Sequence, residues 1–154
     1  EAVQRTDFAK NKRKILRGKT TEIIEEIEEK SLDFVYVDGD HTLKGITIDL
    51  ISIWPKLKKS GFIAGDDFSP TIWQHTKDFE PTMVFPFAIY FAEAMDVKIF
   101  GLPFEQFLIV KEAKGFEFID LAGDYQQTDV RHQLTGKTSE NQKQKTSFLK
   151  RLFQ

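Results

Sequence analysis

Two acidic clusters carry the chemistry that this sequence offers. The cluster Asp38-Gly-Asp-His41 follows the apolar run 34–37, and the pair Asp66-Asp67 follows the run 61–65, with the helix-length segment 42–59 between them. A helical crossover makes the two flanking strands parallel, so their carboxyl ends open at one edge of the sheet. Open α/β sheets bind their ligands at that edge. Crowded carboxylates are costly unless a cation or a proton joins them, so the pattern predicts a metal-assisted site.

Asp38, Asp66 and Asp67 are the predicted ligands of the cation. An all-oxygen ligand set with open water positions suits Mg²⁺, and Mn²⁺ or Ca²⁺ are alternatives. A bound cation would lower the pKa of a substrate hydroxyl and orient its oxygen. In the competing interpretation these acids only cap the following helix, and Asp40 is well placed to do so.

The composition is that of one soluble globular domain. The chain has 154 residues, of which 40% are hydrophobic and 30% charged. A net charge of −2 gives no electrostatic argument for nucleic acid or an anionic membrane as partner. The absence of cysteine excludes a disulfide framework, a zinc-thiolate site and a cysteine nucleophile. No apolar run approaches the roughly 20 residues of a membrane span. We expect a cytoplasmic protein.

The hydrophobic pattern predicts alternating strands and helices. Residues 1–122 are expected to form the domain, and residues 123–154 a polar tail with a short helix at 147–153. The predicted strands are 14–17, 32–37, 62–64, 97–100, 106–110 and an edge strand at 116–121. The first predicted helix begins at an N-cap, Thr20. Two further helices are predicted at 45–57 and 82–95, and the helix at 45–57 is expected to end at Lys58-Lys59-Ser60-Gly61. Lys44 and Asp49 are expected to face solvent.

In this order, four segments resemble the C-terminal part of a class I S-adenosylmethionine-dependent methyltransferase. The segments are Gly18-Lys-Thr-Thr-Glu-Ile-Ile, Leu32-Asp-Phe-Val-Tyr-Val-Asp-Gly-Asp-His, Trp54-Pro-Lys-Leu-Lys-Lys-Ser-Gly-Phe-Ile-Ala-Gly-Asp-Asp, and the pair Lys98-Ile-Phe with Gln106-Phe-Leu-Ile-Val. The resemblance is greatest to the divalent-metal-dependent O-methyltransferases, whose ligand spacing the interval from Asp38 to Asp66 matches. It implies the C-terminal portion of a Rossmann-like sheet, with a reversed antiparallel strand pair at its end.

The resemblance also implies the activity and its residues. A methyl group would pass from S-adenosylmethionine to a hydroxyl of a small molecule or sugar, assisted by a divalent cation. Gly18, Thr20, Thr21 and Asp38 would contact the cofactor. Trp73 and His75, in the long loop 68–81, would form an acceptor pocket or lid; sugars, phenols and polyketides all remain open as acceptors.

The base that removes the hydroxyl proton has two candidates, Asp40 and His41. Related enzymes place such a residue two or three positions past the first metal acid, and we favour Asp40. A histidine near its ordinary pKa is the easier base at pH 7, so His41 remains the alternative. A capping or solvated role competes for both.

The glycine-rich cofactor motif of the family is not found in this sequence. We therefore expect it upstream of Glu1 in a longer parent protein, and we expect the fragment alone to be inactive. The strands that would accompany that motif normally lie in the middle of the sheet. An exposed sheet edge is expected in their place, and it could pair with a second copy to form a homo-oligomer.

Three other functions compete with methyl transfer. Val35-Tyr-Val-Asp-Gly-Asp-His-Thr42 also fits the strand and DxDxT motif of haloacid-dehalogenase-like phosphotransferases, with Asp38 and Asp40 as the reactive acids. Those enzymes, however, separate their two acidic motifs by far more chain. A nucleotide-sugar transferase with a DxD metal site is a weaker alternative. The third is a non-catalytic, methyltransferase-like interaction module.

Overall fold

Five strands form one mixed sheet in the computed structural model of the protein, which describes residues 2–71 and 82–125. The strands are β1 (Leu32–Val37), β2 (Leu57–Gly65), β3 (Val97–Leu102), β4 (Gln106–Lys114) and β5 (Glu117–Asp120), in the spatial order β1-β2-β4-β3-β5. Strands β1 and β2 are parallel, β4 is antiparallel to both β2 and β3, and β5 is parallel to β3. The predicted α/β class and the reversed pair at the end are confirmed.

Four α-helices accompany the sheet in the described part of the chain. They are α1 (Ala2–Arg5), α2 (Thr20–Ile23), α3 (Leu43–Ile53) and α4 (Val84–Ala94). Short 3-10 segments cover Asp7–Lys12, Ile24–Glu26 and Trp54–Lys56. Helix α3 connects β1 to β2, so the carboxyl ends of these two parallel strands lie at the same edge, as the acid clusters require.

The core lies between one face of the sheet and helices α3 and α4. Its fully buried side chains include Ile63, Ile99, Phe107 and Ile109 from the strands and Leu50 and Ala88 from the helices. The strand residues on the opposite face are not buried: Phe34, Tyr36 and Phe62 are 48%, 45% and 38% exposed. Among the described residues, β1 is an end strand of the sheet.

The predicted strand at 14–17 was wrong. These residues pair with no strand, and Ile15 remains 48% exposed. Ile15 and Leu16, which lie between Lys14 and Arg17, bury too little apolar surface to stabilise a strand. In addition, no described strand lies beside them to complete the backbone hydrogen bonds.

The boundary between α3 and β2 was also misplaced. The helix ends at Ile53, and the residues from Lys58 to Gly61, predicted to stop the helix, belong to β2. Pro55 lacks an N–H, so it cannot donate the hydrogen bond that would continue the α-helix. Leu57 is fully buried and pairs with Leu32, which starts the strand at that point.

The later elements agree with the expected pattern. Helix α4 falls inside the predicted range 82–95, with Pro86 in its first turn, and β5 forms the predicted edge strand. Tyr125 is only 6% exposed, so the core continues past residue 122. The predicted lid residues Trp73 and His75 and the predicted helix at 147–153 lie outside the described residues.

Candidate active site

The two acidic clusters, residues 38–41 (the first acid loop) and 66–67 (the second acid loop), meet at the carboxyl ends of β1 and β2. The backbone N–H of Asp66 donates to the Val37 carbonyl over 3.1 Å, which adds one more bond between the two strands. Beyond it, Asp38, His41 and Asp67 each present a ligand atom, and these atoms all lie within 4.8 Å of one another. Asp38 is exposed, whereas His41 and Asp67 are half-buried. The site can therefore be reached from solvent.

His41 takes the place beside Asp67 that the sequence reasoning gave to Asp66. The His41 Nε2 atom lies 2.6 Å from Asp67 Oδ2, and the Asp66 side chain is not part of this group. The backbone explains why, since Asp67 has a φ of 58°. This left-handed conformation, which aspartate tolerates better than most residues, turns the side chain of Asp67 away from the alternation of the strand.

Asp66 nevertheless stays close to the other acids, as Tyr36 shows. The pKa of Tyr36 is raised by partial burial and then by the negative charges of Asp66, Asp38 and Asp67. The Tyr36 hydroxyl accepts a hydrogen bond from Gln106 Nε2 over 3.0 Å. The negative charges of Asp66, Asp38 and Asp67 therefore all act on the Tyr36 hydroxyl at this edge of the sheet.

The turn between β3 and β4 is hydrogen-bonded to the residues that follow the second acid loop. The backbone N–H of Phe68 donates to the Glu105 carbonyl over 2.8 Å, and the Ser69 hydroxyl donates to the Glu105 carboxylate over 3.1 Å. The Tyr125 hydroxyl donates to the Phe68 carbonyl over 2.5 Å. Sequence reasoning missed Glu105 and Tyr125, because their contacts form only when distant segments pack together.

Asp40 serves the backbone rather than the open site. Its carboxylate accepts the N–H of Thr42 over 2.9 Å, and the Thr42 hydroxyl in turn accepts the N–H of Gly45 over 3.1 Å, so Thr42 is the N-cap of α3. The bond from Thr42 holds the pKa of Asp40 below its usual value. A carboxylate stabilised in this way is a weaker base than the sequence reasoning assumed.

A cavity of about 540 Å³ adjoins the first acid loop, residues 38–41. It is lined by Gly18, Lys19, Thr20, Thr21, Gly39, Asp40, Lys44, Gly45, Ile48 and Asp49. This volume is within the range of small-molecule and cofactor sites. Three of the four predicted cofactor residues, Gly18, Thr20 and Thr21, line the cavity. The fourth, Asp38, belongs instead to the acid group that it forms with His41 and Asp67.

One wall of the cavity joins α2 to α3. The Thr20 hydroxyl donates to Asp49 Oδ1 over 2.6 Å. The N-cap of α2 is Lys19, whose N–H donates to the Glu22 carboxylate over 3.2 Å, so the predicted N-cap role of Thr20 was wrong. Asp49 was expected to face solvent, and this too was wrong, because it is half-buried against Thr20.

The comparisons with known proteins agree with this fold. A family model described as a methyltransferase domain matches residues 1–68, a range that contains both acid loops and the α2–α3 wall of the cavity. No curated protein and no solved structure matches the chain. The family match and the mixed sheet confirm the predicted resemblance to class I S-adenosylmethionine-dependent methyltransferases. Methyl transfer, with S-adenosylmethionine as the donor, is the activity that this domain implies.

Of the helices in residues 2–71 and 82–125, none combines the length and apolar character needed to span a membrane.

Proposed function

We propose that this methyltransferase domain transfers the methyl group to a hydroxyl oxygen of a small molecule or sugar, with help from a divalent cation. The observation that carries the proposal is the group formed by Asp38, His41 and Asp67, whose ligand atoms lie within 4.8 Å of one another beside the cavity. A hydroxyl group is a poor nucleophile until it is acidified, and a cation at such a group would acidify it. The family match favours methyl transfer over the phosphotransferase alternative.

The cavity fits the cofactor by its size and by its lining. S-adenosylmethionine supplies an electrophilic methyl group when it is bound. Gly18, Gly39 and Gly45 line the cavity with bare backbone, and a Cβ at each would come within 2.9 Å of a neighbouring protein atom. Thr20 and Thr21 add hydroxyl groups to this lining. The glycines would let the backbone approach the cofactor closely, and the threonines would orient it.

The cation fits the donor set of the acid group. Two carboxylates suit Mg²⁺ or Mn²⁺, and an imidazole shifts the preference from Mg²⁺ towards Mn²⁺ or another transition metal. We assign Asp38 and Asp67 as ligands, with His41 as the third and Asp66 as a nearby acid that balances the charge. Divalent Mg²⁺, the ion predicted from the sequence, remains a candidate because Asp38 and Asp67 are hard oxygen ligands.

His41 is also the better candidate for a general base. Its Nε2 atom lies 2.6 Å from Asp67 Oδ2, an arrangement in which the carboxylate orients the imidazole. Asp40 is occupied by Thr42. If no cation binds, His41 and Asp67 would form the proton-accepting pair, and the acceptor hydroxyl would lose its proton to His41.

Two further proposals concern partners. The acceptor would approach the exposed side of the acid group, where the predicted lid residues Trp73 and His75 could cover it. A second copy of the chain could pair with the free edge of β1, where Phe34 and Tyr36 are exposed. A cytoplasmic location remains a proposal from composition.

Manganese titration of this chain tests the metal site. We expect the wild-type protein to bind Mn²⁺ at one site, as measured from the electron paramagnetic resonance signal of the free ion. Asp38→Asn or Asp67→Asn should each weaken this binding by at least about tenfold, since each removes a charged ligand. Asp33→Asn is the matched control, because Asp33 is an exposed acid of β1 that pairs with Lys58 at 2.7 Å. Equal affinity in all four proteins would contradict the assigned ligands.

The same variants separate the two roles of His41. If His41 is a ligand, His41→Gln should weaken Mn²⁺ binding more than Mg²⁺ binding, because imidazole favours the transition metal. If His41 acts only as a base, cation affinity should stay within about twofold of wild type. Where transfer of the tritiated methyl group from S-adenosylmethionine to a hydroxyl acceptor is observed, a chelator should stop it; transfer that continues unchanged would exclude the cation from the reaction.

A further inference from the structure

The Tyr36 hydroxyl has a proton that no described residue accepts. Gln106 Nε2 donates to the Tyr36 oxygen over 3.0 Å, which makes this oxygen the acceptor in that bond. A phenol also carries a proton of its own, so it is a donor as well. Because the Gln106 nitrogen occupies a lone pair of the oxygen, the O–H bond is turned away from Gln106. Within residues 2–71 and 82–125, no hydrogen bond uses this proton.

Three strands of the sheet fix the position of this hydroxyl. Tyr36 on β1 pairs with Ala64 on β2, and Ala64 pairs with Leu108 on β4, two residues after Gln106. The side chain of Ala64 is only a methyl group, so the longer side chains of Tyr36 and Gln106 meet across β2. Their bond therefore places the phenol oxygen close to the carboxyl end of β2.

Asp66 is the carboxylate best placed to accept the proton. It follows β2 directly, and its backbone N–H donates to the Val37 carbonyl of β1 over 3.1 Å. The pKa of Tyr36 is raised most by partial burial, and the charge of Asp66 is the next cause, ahead of the other acids. Among the residues that the structure describes, none donates a hydrogen bond to the Asp66 carboxylate. A donor without an acceptor thus lies near an acceptor without a donor.

We propose that Tyr36 donates this proton to the Asp66 carboxylate when a cation fills the acid group. The inference rests on the proposed cation site, and it adds a positioning residue to that site. Acids around a cation keep their orientation through hydrogen bonds from neighbouring groups, and the loss of one such bond commonly weakens cation binding by about 10- to 100-fold. Tyr36 keeps Asp66 turned towards the cation, and Gln106 keeps the hydroxyl of Tyr36 turned towards Asp66.

Cation binding measures the contribution of Tyr36 without any methyl transfer. In Tyr36→Phe only the hydroxyl is lost, and we expect Mn²⁺ to bind about tenfold more weakly than to wild type. Tyr90→Phe is the matched control, because Tyr90 lies on α4, is 66% exposed and should leave the affinity unchanged. An affinity of Tyr36→Phe within about twofold of wild type would overturn the inference and leave the cation ligands standing.

A double-mutant cycle identifies the acceptor of the proton. If Tyr36 acts through Asp66, Tyr36→Phe should cost little further affinity in a protein that already carries Asp66→Ala. In a protein that carries Asp33→Asn, on the surface of β1, the same change should keep its full effect. Equal losses in the two backgrounds would overturn the assignment of Asp66 as the acceptor, and the inference with it.

Nuclear magnetic resonance follows the bond itself. The chain has three tyrosines, so labelling their Cζ atoms with ¹³C gives three signals, and Tyr36→Phe identifies the signal of Tyr36. Saturating Mg²⁺ should shift this signal in wild type and not in Asp66→Ala, because the Cζ atom carries the hydroxyl group. A wild-type signal that stays unchanged would contradict the bond.

Failure of the cation site is distinguishable from failure of the inference. If wild type binds neither Mn²⁺ nor Mg²⁺, the proposed cation site is overturned and the role of Tyr36 falls with it. Circular dichroism of each variant establishes that the fold is retained.

Discussion

Gly45 tests whether the first acid loop and α3 are packed as tightly as the structure shows. Gly45 lies in the first turn of α3, and a Cβ at this position would lie 2.5 Å from the Asp40 Cβ and 2.6 Å from its Cγ. Carbon atoms in favourable contact are about 3.5–4.0 Å apart. In Gly45→Ala the Asp40 loop must therefore move by about 1 Å, since part of the contact is with the backbone of Asp40.

The expected magnitude follows from opposing effects. Alanine in place of glycine stabilises a helix interior by about 1 kcal/mol. Overpacking costs about 1–3 kcal/mol, and weakening the exposed bond between Asp40 and the Thr42 N–H costs about 1 kcal/mol more. The net expectation is a loss of about 2 kcal/mol in the free energy of unfolding.

Urea denaturation followed by circular dichroism measures this loss. Ser52→Ala, later in the same helix, is the control and should be neutral or slightly stabilising. We also expect Gly45→Ala to weaken Mn²⁺ binding, because His41 directly follows the displaced Asp40. A Gly45→Ala protein as stable as wild type, or more stable, would refute the close packing of the loop on α3.

Three further predictions concern stability and assembly. Lys111 Nζ donates to two backbone carbonyls, at 2.7 and 2.9 Å, so Lys111→Met should lower the free energy of unfolding in urea by about 2–3 kcal/mol, whereas the exposed Lys114→Met should change it little. The pKa of Asp40 is lowered in the fold, so its contribution is present above the ordinary carboxyl pKa of 3.8 and is lost as pH falls through the lower folded value. Stability measured against pH should therefore fall less steeply at the acid end in Asp40→Asn; an identical slope would contradict the shift. Phe34→Lys should reduce self-association in sedimentation equilibrium, and a wild type that is monomeric at all concentrations would contradict pairing through β1.

The site edge could be predicted because it depends on strand order. An apolar run followed by acids, a helix and a second such run requires two parallel strands with adjacent carboxyl ends, and β1 and β2 meet this requirement. The charges of Asp38, Asp66 and Asp67 accordingly converge on Tyr36. Helix α4 was equally predictable, because its sequence Val-Phe-Pro-Phe-Ala-Ile-Tyr-Phe-Ala-Glu-Ala is too rich in apolar residues for an exposed segment.

The details of the site depend on backbone geometry and tertiary contacts that periodicity does not report. The left-handed φ of Asp67 places its carboxylate beside His41, although Asp66 is nearer in the sequence to the strand. Asp49 looked like a solvent-facing helical acid, and only the packing of α2 on α3 brings it to Thr20. The polar start of β2 was missed because Lys58 and Lys59 resemble a helix end, whereas Leu57 is drawn into the core.

Anomalous scattering from manganese-soaked crystals of this chain tests the proposed cation most directly. We predict one strong peak between Asp38, Asp67 and His41, with carboxylate oxygens about 2.0–2.3 Å from the ion and the remaining positions open to water. The peak should disappear in Asp38→Asn and persist in Asp33→Asn. An acid group without a peak at saturating manganese, with His41 still paired to Asp67, would contradict cation-assisted transfer and leave His41 as the base of a metal-free methyltransferase.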